Sequence, residues 1–256
     1  MKLSIVVLAK NEQRNIIRAI ESVEFSDEII VIDDFSTDKT SEYAMEMGAV
    51  VHRKKLNNNF ASQRNFGLQK SRGDWILFLD ADEFLTKELQ TEIKKLIKGK
   101  SKYSVYHIKR RDFMWGKELE YGEIKTVRKK GLIRLVKKGS GKWISPVHEV
   151  FVTTSPAGRL NNFINHYPHP TVKEFLDKIN FYSTLRAKEL FHLKKNVSLL
   201  EIIFFPTGKF LMNYFIKLGF LDGPAGFLYA FMMSFHSFLV RAKLYQYLKL
   251  DQPIDS

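Results

Sequence analysis

The stretch Gly73-Asp74-Trp75-Ile76-Leu77-Phe78-Leu79-Asp80-Ala81-Asp82 decides the fold. Its apolar run reads as a strand, and the run ends in two carboxylates one residue apart, which in extended chain point the same way. Open α/β sheets bind ligands outside the carboxyl ends of their strands, where Asp80 and Asp82 would lie. Hard oxygen donors select Mg2+ or Mn2+, and such an ion neutralises the charge of a departing diphosphate. The same pair also fits a helix N-cap and its neighbour, so the motif needs support from elsewhere in the chain.

Working outward, the first hundred residues alternate short apolar runs with helical patterns, the signature of a parallel sheet covered by helices. Leu3–Ala9 reads as a strand before a helix over 16–23, and Glu28–Asp33 as a strand before a helix over 37–47. A strand at 49–52 precedes a loop and a helix over 61–69, and Trp75–Asp80 precedes a helix over 86–98. From 103 to 165 the pattern becomes shorter and more β-like, with runs at 103–108, 132–136 and 150–154 broken by Gly and Lys. After His169-Pro170 the chain turns helical, with an N-cap at Thr171. The expected fold is α/β and Rossmann-like, a mainly parallel sheet with helices on both faces, followed by a C-terminal helical, apolar extension. The expected division is 1–100, 101–170 and 171–256, the first two being halves of one domain.

With 256 residues, 45% of them hydrophobic, the chain can bury a full core. It has no Cys, which excludes disulfide scaffolds, thiolate zinc sites and a Cys nucleophile. The apolar run near Met1 is too short for the core of a signal peptide, so export is not expected. The net charge of +13 is uneven: 15 Lys/Arg stand against 16 Asp/Glu in 1–99, 14 against 5 in 100–150, and 12 against 7 in 151–256. The positive excess belongs to the second half, where it suits phospholipid headgroups, a phosphorylated acceptor or nucleic acid.

Three further polar motifs fall at or beside strand ends. Lys10-Asn11-Glu12 follows the first strand, and Asp33-Asp34-Phe35-Ser36-Thr37-Asp38 ends the second, where a carboxylate can accept a hydrogen bond from the N3–H of a uracil ring. Gln63-Arg64-Asn65 opens the helix before the Asp80 strand and offers donors to a base or phosphate. Each also fits a cap or a turn. In order and spacing, these motifs with Arg64-Asn65-Phe66-Gly67 and the Asp80-Ala81-Asp82 strand resemble the inverting family 2 glycosyltransferases. Phe35 stands where that family usually has Gly.

The resemblance implies a GT-A fold and a nucleotide-diphosphosugar donor, with Asp34 on the base, Asp80 near ribose or metal and Asp82 on the metal. Lys10, Asn11, Glu12 and Arg64 then belong to the donor site. Residues 1–100 become the nucleotide-sugar-binding half and 101–170 the acceptor-side half. Past residue 100, Arg134-Leu135, Trp143-Ile144-Ser145-Pro146-Val147-His148-Glu149, Asn165-His166-Tyr167 and Asp222-Gly223 are similar to the lipopolysaccharide-core glucosyltransferase branch. That similarity implies transfer of a hexose, glucose from UDP-glucose first among them, to a lipid-anchored acceptor such as the inner core. Polyprenol phosphate is the alternative acceptor.

Inversion needs one displacement at the anomeric carbon, with a carboxylate deprotonating the acceptor hydroxyl. Glu149 is the candidate base, with Asp112, Glu118, Glu120, Glu123 and Glu83 as rivals. His148 is a candidate to ligate the metal, orient Glu149 or contact the phosphates, and Trp143 either stacks on a sugar or packs in the core. Residues 199–250 are the most apolar of the chain, interrupted by Pro206-Thr207-Gly208, Lys209, Lys217 and Asp222-Gly223-Pro224. The longest uninterrupted piece, 225–240, falls short of a bilayer span. Helices lying in the interface of an anionic membrane, with Lys209, Lys217, Arg241, Lys243 and Lys249 reaching headgroups, are therefore expected, on the cytosolic face of the inner membrane. A helical cap on the core or a dimer interface is the alternative.

Other classes fare worse. A Rossmann dehydrogenase would carry Gly-x-Gly-x-x-Gly after the first strand, where Lys10-Asn11-Glu12 stands. A phosphatase of the haloacid-dehalogenase type would carry its Asp pair on the first strand. A non-enzymatic, basic membrane- or RNA-binding module remains as a rival, although no nucleic-acid partner is expected.

Overall fold

The computed structural model describes residues 1–145 and 149–253. In chain order the elements are β1 (Leu3–Ala9), α1 (Ile16–Glu21), β2 (Glu28–Asp33), α2 (Thr40–Glu46), β3 (Val50–Arg53), α3 (Phe60–Lys70), β4 (Trp75–Asp80), β5 (Glu83–Leu85) and α4 (Lys87–Lys98). There follow β6 (Val105–Met114), β7 (Lys117–Leu119), α5 (Lys125–Lys130), β8 (Leu132–Lys137), β9 (Lys142–Ile144), β10 (Val150–Val152), β11 (Ala157–His166), α6 (Val172–His192), α7 (Leu199–Leu211) and α8 (Gly223–Leu250). Two compact units result: Met1–Arg111 with Val127–Tyr167, and Asp112–Thr126 with the chain from Pro168 on. Residues 112–126, read from the sequence with the acceptor-side half, thus cluster with the helical region.

In the first unit the sheet runs β3-β2-β1-β4-β8-β6-β11-β5. The β3, β2, β1 and β4 strands are parallel, as the alternation of strands and helices requires. Beyond β4 the sheet continues with β8 antiparallel to both β4 and β6, and β5 antiparallel to β11. Every residue of β1 is buried, which follows from cover on both faces. Ile5 and Val7 pack with Ile16, Ile20, Leu89 and Ile93 of α1 and α4, while Val6 and Leu8 pack with Ala61 and Phe78. Each such side chain removed from water contributes about 1.5–3 kcal/mol.

Local signals fix the helix ends. The Thr86 hydroxyl accepts the Leu89 N–H at 3.2 Å and starts α4, whose Leu89, Ile93 and Ile97 share one buried stripe. Asn59 caps α3 by accepting the Ser62 N–H at 2.9 Å. Gly67 lets α3 lie against β1, since a Cβ there would collide with the Val6 side chain. The register sets Leu8 beside Ile32 on one side and Asp80 on the other, and Ala9 beside Asp33. The carboxyl ends of β1, β2 and β4 therefore lie along one edge.

The second unit packs Met114, Leu119 and Ile124 with Phe175 and Ile179 of α6 and Met232 of α8. Buried Asp222 accepts the Glu120 and Tyr121 N–H groups at 3.0 and 2.9 Å, a structural task for the Asp222-Gly223 motif. The helices correct the length inferred from sequence. Pro206 lies inside α7, which runs on through a wide turn at Met212–Ile216, and α8 is continuous for 28 residues, about 42 Å. By length and composition Leu199–Ile216 and Gly219–Leu250 could each cross a bilayer, and only 6% and 22% of those windows are buried. Three basic residues expected at headgroups are engaged inside the unit instead. Lys209 pairs with Glu123 at 2.6 Å, Arg241 stacks 3.9 Å over Phe205, and Lys243 donates to Asn180, Ser183 and Thr184. Lys249 remains exposed.

Candidate active site

The strand edge of the first unit gathers the predicted donor residues in two groups. Beyond β1 and β2, Lys10 Nζ lies 2.8 Å from Asp34 Oδ2, and Asp34 Oδ1 accepts the Leu56 N–H at 2.7 Å. Asp34 is buried, so these contacts hold it rigidly at the end of β2. The Asn11 side chain accepts the Thr37 N–H at 2.8 Å, while the Glu12 carboxylate accepts the Asn15 amide at 2.7 Å. Both residues thus organise the loops around Asp34. Phe35 adopts φ +53°, the left-handed conformation that a glycine takes without strain, and its ring is exposed.

The second group forms a chain of alternating charge. Arg64 Nε donates to Glu149 Oε1 at 2.8 Å, and Arg64 Nη2 to Asp80 Oδ1 at 3.0 Å. Arg134 Nη2 then joins Asp80 Oδ2 at 2.8 Å to Glu83 Oε1 at 2.7 Å, and Arg110 Nη1 reaches the same Glu83 oxygen at 3.3 Å. Three carboxylates and three guanidiniums therefore run Glu149-Arg64-Asp80-Arg134-Glu83-Arg110. Burial works against ionisation of Asp80, but Arg134 and Arg64 outweigh it and hold the carboxyl well below the usual range. Burial likewise disfavours the Arg134 cation, and Asp80 and Glu83 more than restore it, raising its pKa above the ordinary value.

Asp82 Oδ1 lies 3.5 Å from His166 Nε2, and its backbone carbonyl accepts the Tyr167 N–H at 3.0 Å. A carboxylate oxygen and an imidazole nitrogen are donors that Mn2+ accepts. Among the described residues no three His, Cys, Asp or Glu side chains cluster to hold a metal by themselves. His148 lies outside the described residues.

Sequence reasoning underrated several of these groups. Arg134 interrupts the apolar run of β8, and a buried arginine demands carboxylate partners, a signal present in the sequence. Glu83, a rival for the base, is fully buried and held by Arg134, Arg110 and the Asp80 N–H, so in this structure its carboxylate serves the charge chain. Gln63 is buried and donates to the Lys54 carbonyl at 2.7 Å, so it pins a loop. Trp143 is a core residue and no exposed stacking platform: it meets Phe78 and Phe151 edge to face, with Arg64 5.1 Å from its ring.

A mixed sheet whose parallel strands end in a buried acid beside a lysine, a paired Asp80 and a second Asp at Asp82 fits the GT-A-type architecture that the resemblance implied. The model of glycosyl transferase family 2 matches residues 4–146, more than half of the chain, and the chain belongs to that family. It is therefore an enzyme that transfers glycosyl groups, which sets aside the non-enzymatic reading. An uncharacterized glycosyltransferase of Rickettsia typhi is 32% identical over 95% of this chain and 86% of its own length. The lipopolysaccharide core biosynthesis glycosyltransferase LpsC of Rhizobium meliloti is 29% identical over 96% of this chain and 93% of its own. The same fold occurs in glucosyl-3-phosphoglycerate synthase from Mycobacterium tuberculosis, crystallised with Mn2+, UDP and glucosyl-3-phosphoglycerate. The two agree with a TM-score of 0.50 at 16% identity, over 77% of this chain and 81% of the other.

Proposed function

We propose that this transferase moves a hexose, glucose in the first instance, from a UDP-sugar to a lipid-anchored acceptor such as the lipopolysaccharide inner core, with inversion and with a divalent metal. The observation that carries the reading is Arg64, which holds Asp80 and Glu149 on one guanidinium. A base at Glu149 would thereby act beside the carboxylate expected at the donor. The acceptor hydroxyl would lose its proton to Glu149 while the diphosphate leaves from the opposite face. Mg2+ or Mn2+ would be held through Asp82, with His166 beside it, and would take most of its other ligands from the diphosphate whose charge it neutralises. Asp34 would read the base, with Lys10 yielding one of its contacts.

The acceptor reading is supported by the likeness to LpsC along nearly the whole of both chains. The apolar surface of the second unit favours a membrane-bound acceptor. Leu199, Phe204 and Ile216 are 70%, 64% and 72% exposed, and no residue of α7 is buried. Apolar surface of that extent marks an interaction site, and exposed Lys194 and Lys195 immediately before α7 suit anionic headgroups. Association with the cytosolic face, where nucleotide sugars are available, follows from this reading.

The test is transfer by the detergent-solubilised full chain, with a panel of nucleotide sugars, Mn2+ and a core glycolipid or polyprenol phosphate. Transfer from UDP-glucose to the core glycolipid, giving a β-linked product from the α-linked donor, is expected. A retained anomeric configuration would overturn the single displacement, and transfer to polyprenol phosphate alone would overturn the acceptor.

A further inference from the structure

A cavity of about 370 Å3 opens in the first unit between α3 and β9, within the range of roughly 300–1,000 Å3 seen for small-molecule sites. Lys54, Asn59, Ser62, Phe66, Gln69 and Ser145 line it. Ser62, Phe66 and Gln69 share one face of α3, whereas Arg64, two residues from Ser62, serves the charge chain from another. The cavity is thus a neighbour of the candidate active site with its own lining.

Its chemistry is specific. The amides of Asn59 and Gln69 and the hydroxyls of Ser62 and Ser145 donate and accept, which suits a ligand dense in hydroxyl groups. The Phe66 ring offers an apolar face, with Lys54 Nζ 5.1 Å and Lys70 Nζ 5.3 Å from its centroid. Among the described residues no carboxylate lines the cavity, and Lys54 gives it positive charge. Trp143 also borders it, and among the described residues its buried indole N–H has no hydrogen-bond partner, a defect that native cores seldom leave. At the rim Ser145 holds φ +70°, strain of the kind found at ligand sites.

We infer that this cavity binds a sugar unit bearing a phosphate or carboxylate group. Its assignment to the acceptor, as a unit next to the one glycosylated, rests on the transferase reading above, whereas the binding itself does not. Glucose 6-phosphate, glucuronate, glucose and inorganic phosphate are titrated by ligand-observed NMR against the full chain in detergent, with UDP and Mn2+ as an independent check. Glucose 6-phosphate or glucuronate is expected to bind saturably and roughly tenfold more tightly than glucose, the worth of a hydrogen bond to a charged group. Ser62→Trp, which fills the cavity, removes that binding, and Lys54→Gln lowers it to the level of glucose, while both variants keep UDP affinity. A wild-type chain that binds UDP but neither anionic sugar overturns the inference, as does anionic-sugar binding that survives Ser62→Trp. Inorganic phosphate binding as tightly as the sugar phosphate overturns the sugar part. A chain that takes anionic sugar in the cavity but does not bind UDP keeps this inference and overturns the donor reading.

Discussion

The two units solve the problem of burial in opposite ways. The first covers its apolar strands on both faces and links Arg64, Arg110 and Arg134 to Glu149, Asp80 and Glu83 in one chain of alternating charge. The second ties cations such as Lys209 and Lys243 to its own oxygens and leaves Leu199, Phe204, Phe215 and Ile216 outward. Apolar surface is covered inside one unit and left uncovered in the other. The difference is that the first unit buries its apolar strands and holds the candidate site, whereas the second leaves apolar helix faces exposed.

The largest effect is expected at Glu149. Glu149→Gln keeps donor and metal binding while kcat falls about 10²–10⁴-fold, the usual worth of general-base assistance. Single-turnover transfer beside a UDP titration measures both, and near-normal kcat would leave Glu149 as only a partner of Arg64. Next comes the matching of buried charge. Arg134→Met leaves Asp80 to Arg64 and buried Glu83 to Arg110 and the Asp80 N–H, so urea unfolding should show a loss of about 3–5 kcal/mol. Replacing Arg134 and Glu83 together by apolar residues should cost less than that loss, and an equal or greater cost would mean that the chain is more than a charge match.

For the second unit, Phe204→Gln with Ile216→Gln should release the protein from anionic liposomes without moving its unfolding midpoint. Each side chain is worth about 1.5–3 kcal/mol when removed from water, so partitioning should fall more than about tenfold. A lower midpoint with unchanged partitioning would show these residues to be internal packing and erase the contrast between the units. The smallest effect concerns acid. Asp80 is held below its ordinary value of 3.8, so its contribution to stability is present above that value and is lost as pH falls through the native pKa. Asp80→Asn should flatten the acid limb of the stability curve below about pH 5, and an unchanged limb would mean that the pairing adds nothing.

How legible each part was follows from range. The parallel half could be read because β1, β2 and β4 announce themselves locally, by apolar runs that end in acids. The antiparallel half could not be ordered, because the pairing of β8 with β4 and of β11 with β5 depends on partners far away in sequence. The site divides likewise. Asp34, Asp80 and Glu149 were proposed from motifs, but the guanidiniums on Asp80 and Glu149 belong to Arg64 and Arg134, as far as 54 and 85 positions away in sequence. The partners of Glu83, Arg110 and Arg134, likewise lie on strands distant in sequence. In the tail, the interruptions at Pro206 and Lys209 misled because the helix absorbs both, the proline within α7 and the lysine through Glu123.

The central claim is that the Asp80–Asp82 strand end binds a nucleotide diphosphate through a divalent cation, and it is tested most directly by calorimetric titration of UDP with and without Mn2+. Wild-type chain should bind UDP at least about tenfold more tightly with Mn2+, and Asp82→Ala should lose that enhancement while remaining folded. Equal UDP affinity with and without metal, or an enhancement that survives Asp82→Ala, would contradict the account.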